Sequence, residues 1–275
     1  VALVAICLVA DEGDIIAQTL SHAAQFGNRI YVIDNGSRDD TWPIVQRLAA
    51  VDPRIVPFLQ TDLPYSDGLR ALAYEAFRRD WSAADWWLML DGDELLAEPP
   101  GPVIESAETE GADLIWAWQA HFYFTDRDLA DWKAGRDDRG RPITARRRYY
   151  AINWQEPRLF RNRPDVAWDG ATHPKLPPGL GRRARRLIMN RHYQFRDPPQ
   201  MVIRMARRYG NPSFARHVTS TDWQAYLRPA ATLVEHHAGE PLKFRARDVL
   251  RYYRRWYWRR LMSALKARLR PTGAR

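Results

Sequence analysis

The stretch Trp86-Trp87-Leu88-Met89-Leu90-Asp91-Gly92-Asp93-Glu94-Leu95-Leu96 constrains this chain most, because five bulky apolar residues run straight into three carboxylates. Such a run predicts a strand buried on both faces, as in parallel sheets covered by helices. Ligands of open α/β sheets gather beyond the carboxyl ends of the strands, so Asp91 and Asp93 are expected to face one. Gly92 lets the backbone turn and approach closely. Two carboxylates two residues apart, with no Cys or His adjoining, suit a hard divalent cation such as Mg2+ or Mn2+. The plain alternative for so short a motif is an acidic turn that caps the next helix.

The residues before this stretch alternate strand and helix. Val1 to Val9 reads as a first buried strand ending at Asp11-Glu12, and Asp14 as the N-cap of a helix that Gly27-Asn28 stops. Ile30 to Ile33 is a second strand, followed by the polar turn Asp34-Asn35-Gly36-Ser37-Arg38-Asp39-Asp40-Thr41, with Pro43 near the start of the next helix. Arg54 to Leu59 is a third strand, and Gly68 to Arg79 a helix with Leu69, Leu72, Ala76 and Phe77 inward. Strand and helix in this alternation predict an α/β fold with a mainly parallel, doubly wound sheet and flanking helices. Asp11-Glu12, Asp34 and Asp91-Asp93 each close a strand, so the fold brings all three to one sheet edge.

The 275 residues suit one large α/β domain or two small ones. Cys7, alone in the opening apolar run, excludes an intrachain bridge and a zinc–cysteine site and fits a reducing compartment. No apolar run approaches the length needed to cross a bilayer, and Val1 to Ala10 lacks the basic start of a signal peptide. The expected location is cytoplasmic. Residues 243–275 hold twelve Lys and Arg against the single Asp248, so they carry +11 of a net +9 and everything before sums to −2. A near-neutral body gives no ground for expecting nucleic acid as a partner.

Val32-Ile33-Asp34-Asn35-Gly36-Ser37-Arg38-Asp39-Asp40-Thr41, taken with Leu90-Asp91-Gly92-Asp93-Glu94, resembles the signature of glycosyltransferase family 2. The resemblance covers roughly residues 1–100 and implies the GT-A fold, a nucleotide-sugar donor and a divalent metal. Carried over residue by residue, it implies a nucleoside held by Glu12 and Asp34, and ribose and metal held through Asp91 and Asp93. Asp11 stands where the family usually has Asn. The expected donor-binding set is Asp11, Glu12, Asp34, Ser37, Asp39 and Asp91, and the metal set Asp93, Asp91 and His173. If Asp34 accepts a hydrogen bond from the base N–H, UDP-sugars are favoured. Read from residues alone, Asp34 is an Asx-turn residue.

Beyond residue 100, Leu114 to Phe124 and Tyr149 to Arg161 read as strands, and the polar segment Asp126 to Arg148 between them as a mobile acceptor or lid loop. Leu159-Phe160-Arg161, Trp168 to His173, His192-Tyr193 and the helix through Tyr209, opened by Asp197-Pro198-Pro199, loosely resemble the second half of bacterial family 2 enzymes that build lipopolysaccharide core. Pro174 stands where those relatives carry a glutamate. An inverting transfer needs a base for the acceptor hydroxyl, which leaves Asp169 and Glu156 as catalytic candidates, with Asp197 a helix cap.

From Leu242, Leu250, Tyr253, Tyr257, Leu261, Leu265 and Leu269 fall at helical spacing among arginines, with Trp256 and Trp258 on the basic face. That pattern suits an anionic membrane surface, and a helix packed on the body is its alternative. The chain then divides into a catalytic domain, 1–241, with a nucleotide-sugar half (1–100) and an acceptor half (101–241), and a basic aromatic helix, 242–275. The function expected is metal-dependent transfer of a sugar to a cell-surface glycan or lipid-linked acceptor, at the inner face of the membrane. Two alternatives stand beside it. A sugar-phosphate nucleotidyltransferase would want a glycine-rich, lysine-bearing loop where Ala10-Asp11-Glu12-Gly13 lies. A non-enzymatic basic binding module rests on the tail alone.

Overall fold

The computed structural model describes residues 1–211, 214, 215 and 218–268, except the side chains of residue 256 and residues 259–268. Four apolar runs form β1 (Leu3–Val9), β2 (Arg29–Asp34), β3 (Ile55–Gln60) and β4 (Trp86–Asp91), which pair in the order β3-β2-β1-β4, all parallel. Alternate side chains of a strand point to opposite faces. Leu3, Ala5, Cys7 and Val9 of β1 accordingly pack with α1 (Ile16–Ala23) and α2 (Thr41–Ala49) through Ile16, Leu20 and Val45. Val4, Ile6 and Leu8 pack on the other face with Ala73 and Tyr74 of α3 (Arg70–Phe77). Covered on both faces, β1 has no polar face. Each large apolar side chain buried there contributes roughly 1.5–3 kcal/mol.

The chain continues through β5 (Glu94–Leu96), α4 (Gly101–Thr109), β6 (Leu114–Phe122), α5 (Asp126–Lys133), α6 (Ile143–Arg146), β7 (Tyr149–Arg161), β8 (Ile188–His192), α7 (Pro198–Arg208), β9 (Val234–Glu235) and α8 (Ala246–Arg268). The sheet extends as β4-β7-β6-β8-β5, with β9 on β7. Here β7 runs antiparallel to β4 and β6, β8 parallel to β6, and β5 antiparallel to β8. β5 starts just beyond β4 in sequence yet lies at the far end of the strand order, so the sheet curls back. The α/β class, the parallel sheet and its flanking helices are as the sequence predicts.

Three local expectations change. Asp14 is not the cap of α1, which has Ile15 there and no side-chain cap; the Asp14 carboxylate instead meets Arg196 at 2.7 and 2.8 Å. Of the four residues expected inward around α3, Leu69 is buried and Phe77 packs on the core, but Leu72 is 40 % exposed and Ala76 is exposed, and Ala71, Ala73 and Tyr74 take the inward face instead. The segment 126–148 is not a bare loop. Thr125 and Asp128 form a capping box for α5, and Asp137 pairs with Arg146 and Arg147. Arg139 and Arg146 tie the segment to Asp197, whose carboxylate also caps α7 by accepting from Gln200 N at 3.1 Å.

α8 lies against β7, and its Tyr252 is buried beside Trp118 at 5.1 Å between ring centroids. Leu250, Tyr253, Tyr257 and Trp258 are exposed. The expected positions Trp256, Leu261, Leu265 and Leu269 lie outside the described side chains.

Candidate functional site

The ends of β1, β2 and β4 meet at one cleft of about 1080 Å³, whose opposite wall is α7. Its local frame comes from the turn after β2. Ser37 Oγ accepts from Asp11 N at 2.9 Å, Thr41 Oγ1 from Glu12 N at 2.8 Å, and Asp39 Oδ2 from Gly13 N at 2.9 Å. These side chains clasp the β1–α1 loop backbone and satisfy donors that the strand end leaves open. Asp34 is fully buried; its carboxylate accepts from Ser37 N at 2.9 Å and Gln60 Nε2 at 3.1 Å. Asp11 sits at φ 55, the left-handed region that Asn and Asp tolerate best among residues with a Cβ. Asp11 thus fits the left-handed backbone and brings a carboxylate, which accepts from Arg38 N and Arg207 Nη1, both at 2.6 Å.

Gly92 is required between the two aspartates, since a Cβ there would lie 2.7 Å from Val9 Cγ2. That close approach sets Asp93 beside Glu12. Asp91 Oδ1 meets Arg70, and its Oδ2 meets Arg158 at 3.0 Å. Asp93 Oδ2 meets Arg204 at 2.9 Å, and its Oδ1 meets His192 Nε2 at 3.3 Å. Glu12 pairs with Arg204 at 3.2 Å and with Arg196, itself wholly buried. Burial opposes the charge of Asp93, but His192, Arg204 and Arg196 outweigh it and hold the carboxyl well below the ordinary range. The same balance, with Arg158 and Arg70, lowers Asp91. Burial wins at Glu94, raised to about 7 despite Arg158.

All four oxygens of Asp91 and Asp93 are thus directed at guanidinium or imidazole nitrogens. Among the described residues no three His, Cys, Asp or Glu side chains are grouped to hold a metal ion. A divalent ion here would have to displace buried Arg204 and Arg158 or sit among them against like charge. As they stand, the two aspartates do not fit the Mg2+ or Mn2+ expected of them.

The other expected residues are spread more widely. Asp11, Glu12, Asp39, Asp91 and Asp93 line the cleft; Asp34 and Ser37 stand behind it in the turn. Glu156, on β7, accepts from Arg158 at 2.9 Å and from Gln119 at 2.6 Å, so one guanidinium joins it to Asp91 and Glu94. Asp169 and His173 lie on an exposed turn outside the cleft lining. Gly170 of that turn abuts Gly68, where a Cβ on either would fall 2.1 Å from the other's carbonyl oxygen. The histidine that meets Asp93 is His192, because β5 and β8 pair Glu94 opposite His192. Arg70, Arg158, Arg196, Arg204 and Arg207 had no role in the sequence reading. A usable signal was Met201-x-x-Arg204-Met205-x-x-Arg208: arginine shares the methionine face of α7, while Val202 and Ile203 are exposed at 48 % and 47 %.

No known family matches the chain, and no curated protein does. Among solved structures it is similar to a mannosyltransferase from Pyrobaculum calidifontis in complex with GDP-Man and Mn2+, at 15 % identity and a TM-score of 0.41 over 79 % of this chain and 64 % of that one. It is also similar to a putative glucose-1-phosphate thymidylyltransferase from Bacillus anthracis in complex with a sucrose, at 13 % identity and a TM-score of 0.31 over 44 % of this chain and 55 % of that one. The chain thus spans 64 % and 55 % of the lengths of these two proteins. Likenesses this low leave donor, metal and acceptor to be argued from the residues themselves.

Proposed function

We propose that the protein transfers a sugar from a nucleoside diphosphate donor to a glycan or lipid-linked acceptor, as a glycosyltransferase of the family 2 kind. The observation that carries this reading is the convergence of Asp11, Glu12, Asp91 and Asp93, from two strand ends, on one cleft large enough for a nucleotide sugar. The nucleoside is assigned to the part edged by Asn35, Gly36, Asp39, Asp62 and Leu63, and the diphosphate and sugar to the part between Asp91–Asp93 and α7. A preference for UDP-sugars would require Asp34 to reach the base, and Asp34 is wholly buried behind the cleft lining, so no donor base is favoured. Residues 1–100 supply the strand-end side of the donor site and α7 its facing wall, the rest of 101–241 serves the acceptor, and 242–275 serves a membrane surface.

As the glycosidic bond breaks, negative charge grows on the departing diphosphate while the acceptor hydroxyl loses its proton. Glu156 is the better candidate base, since Arg158 links it to the Asp91 cluster. Asp169 is a poorer one, since its carboxylate is taken up within its own exposed turn by the Ala171 N–H and the Thr172 hydroxyl.

A melting screen against UDP-, GDP-, ADP- and dTDP-sugars tests the reading. A donor at a hundredfold its Kd adds about 2.7 kcal/mol, or roughly 5–10 °C for a chain of this size. At least one nucleotide sugar should give such a rise, and Asp93→Ala should remove it. A flat response to every nucleotide sugar sinks the reading.

A further inference from the structure

Arg204, Arg207 and Arg208 stand at i, i+3 and i+4 of α7 and line the cleft together. Two are already engaged. Arg204 holds Asp93 and Glu12, and Arg207 holds Asp11 along with the carbonyl oxygens of Gly36, at 3.0 Å, and Asn35. Arg208 has no carboxylate partner among the described residues; its guanidinium lies over the Phe214 ring, 4.5 Å from the centroid. Desolvation, with the charge of Arg204 nearby, lowers Arg208 to about 10. A guanidinium in that position is costly while the cleft holds no anion and is stabilised when one enters. Planar N–H forks suit phosphate oxygens, and Arg keeps its charge at any working pH.

On the facing wall, the acidic motif that ordinarily suggests a metal is taken up by cations of the chain itself. Asp93 orients Arg204, Asp91 orients Arg158 and Arg70, and Asp11 orients Arg207. We infer that the diphosphate of the donor is bound by Arg208, with Arg207 and Arg204 beside it, in place of a divalent ion, so that nucleotide binding needs no added metal. The inference rests on the nucleotide-sugar reading. It assigns the aspartates a positioning role: they hold guanidiniums where a metal would otherwise supply the positive charge that the departing diphosphate requires.

The test is calorimetric titration of the full chain with UDP and with GDP, each in EDTA and again with Mn2+, alongside uridine and guanosine. At least one diphosphate should bind in EDTA within roughly threefold of its affinity in Mn2+. Arg208→Gln should weaken that binding on the order of 10- to 100-fold, the range of a charge-assisted hydrogen bond, and leave the unphosphorylated nucleoside unchanged. Arg208→Lys should recover part of the loss. Binding that appears only with Mn2+ overturns the inference and leaves the nucleotide-sugar reading standing, as does wild-type affinity in a folded Arg208→Gln. If no nucleotide or nucleoside binds in either buffer, the nucleotide-sugar reading falls and this inference with it. The wild-type comparison of EDTA with Mn2+ stands whether or not the variants fold.

Discussion

Two helices of this chain are rich in arginine, and their arginines face opposite environments. On α7, Arg204 is buried between Asp93 and Glu12, and Arg207 reaches Asp11. On α8, Arg251, Arg254 and Arg255 stand exposed beside Leu250, Tyr253 and Tyr257, and the acid within the helix is Asp248 in its first turn. Charge density alone therefore does not say what an arginine does. What separates the two helices is the partner: strand-end carboxylates opposite α7, solvent around most of the described side chains of α8. The first arrangement fixes a site, and the second leaves a surface free to meet something outside the chain.

The sharpest way to break this contrast is to remove one arginine from each helix. Arg204→Met leaves Glu12 and Asp93 short of a buried counter-charge, so it should cost about 3–5 kcal/mol of stability. Arg254→Gln, at an exposed position, should stay within about 0.5 kcal/mol. Urea unfolding of both variants decides it. Equal losses would mean that the α7 pairs carry no more than surface ones. Adding Asp93→Asn to Arg204→Met should recover part of the loss, because the two residues are directly coupled.

The same contrast explains what was legible in the sequence. β1, β2 and β4 declare themselves as apolar runs closed by acids, and the fold carries those ends to one edge with no further information. The turn 34–41 is readable too, because Asp, Asn, Gly and Ser there are turn chemistry acting within a few residues. α8 was visible through its composition. The arginines of α7 were not, because their meaning depends on partners far away in the chain: Arg204 meets Glu12 across 192 positions, and Arg207 meets Asp11 across 196. The contact of His192 with Asp93 was hidden for a related reason. His192 reaches Asp93 only because the three-residue β5, too short to show a period, pairs with β8. The metal expectation shared this blindness, since an Asp-x-Asp motif looks the same whether cations of the chain engage it or not.

Acid should loosen α7 at its N-terminus by a smaller amount. Burial disfavours the Asp197 carboxylate, but hydrogen bonds from Arg139, the Gln200 N–H and Arg146 outweigh it and lower its pKa. Asp137 is lowered in the same way by Arg146 and Arg147. A folded-state pKa below the unfolded value gives a contribution that is complete above the ordinary carboxylate range and is lost as pH falls through the lowered values. Melting temperature followed downward from about pH 6 should therefore begin to drop below about pH 4. Asp197→Asn keeps a capping side chain but has no charge to lose, so its curve should be flatter. Identical slopes for wild type and variant would assign the acid sensitivity elsewhere.

The smallest effect on stability should come from neutralising the outer face of α8, and it tests what that face is for. Removing the helix outright is a poor test: Tyr252 and Phe244 pack edge-on against Trp118, and Tyr150 Oη accepts from Lys243 N at 2.6 Å, so a chain cut before Lys243 uncovers part of the body. Arg251→Gln, Arg254→Gln and Arg255→Gln in combination leave those contacts in place. Near an anionic bilayer each basic residue contributes about 1 kcal/mol, and exposed Tyr257 and Trp258 add apolar burial at the interface. The triple variant should therefore partition on the order of 100-fold more weakly onto phosphatidylserine vesicles at low salt. Its unfolding midpoint should barely move, and its nucleotide affinity should match the wild type, because these arginines lie outside the cleft lining. Raising the salt should weaken the wild type toward the variant, as screening of exposed charge requires. If wild type and variant sediment alike with anionic vesicles, the exposed arginines of α8 do not read a membrane, and the contrast with α7 reduces to a buried set of charges against an idle one.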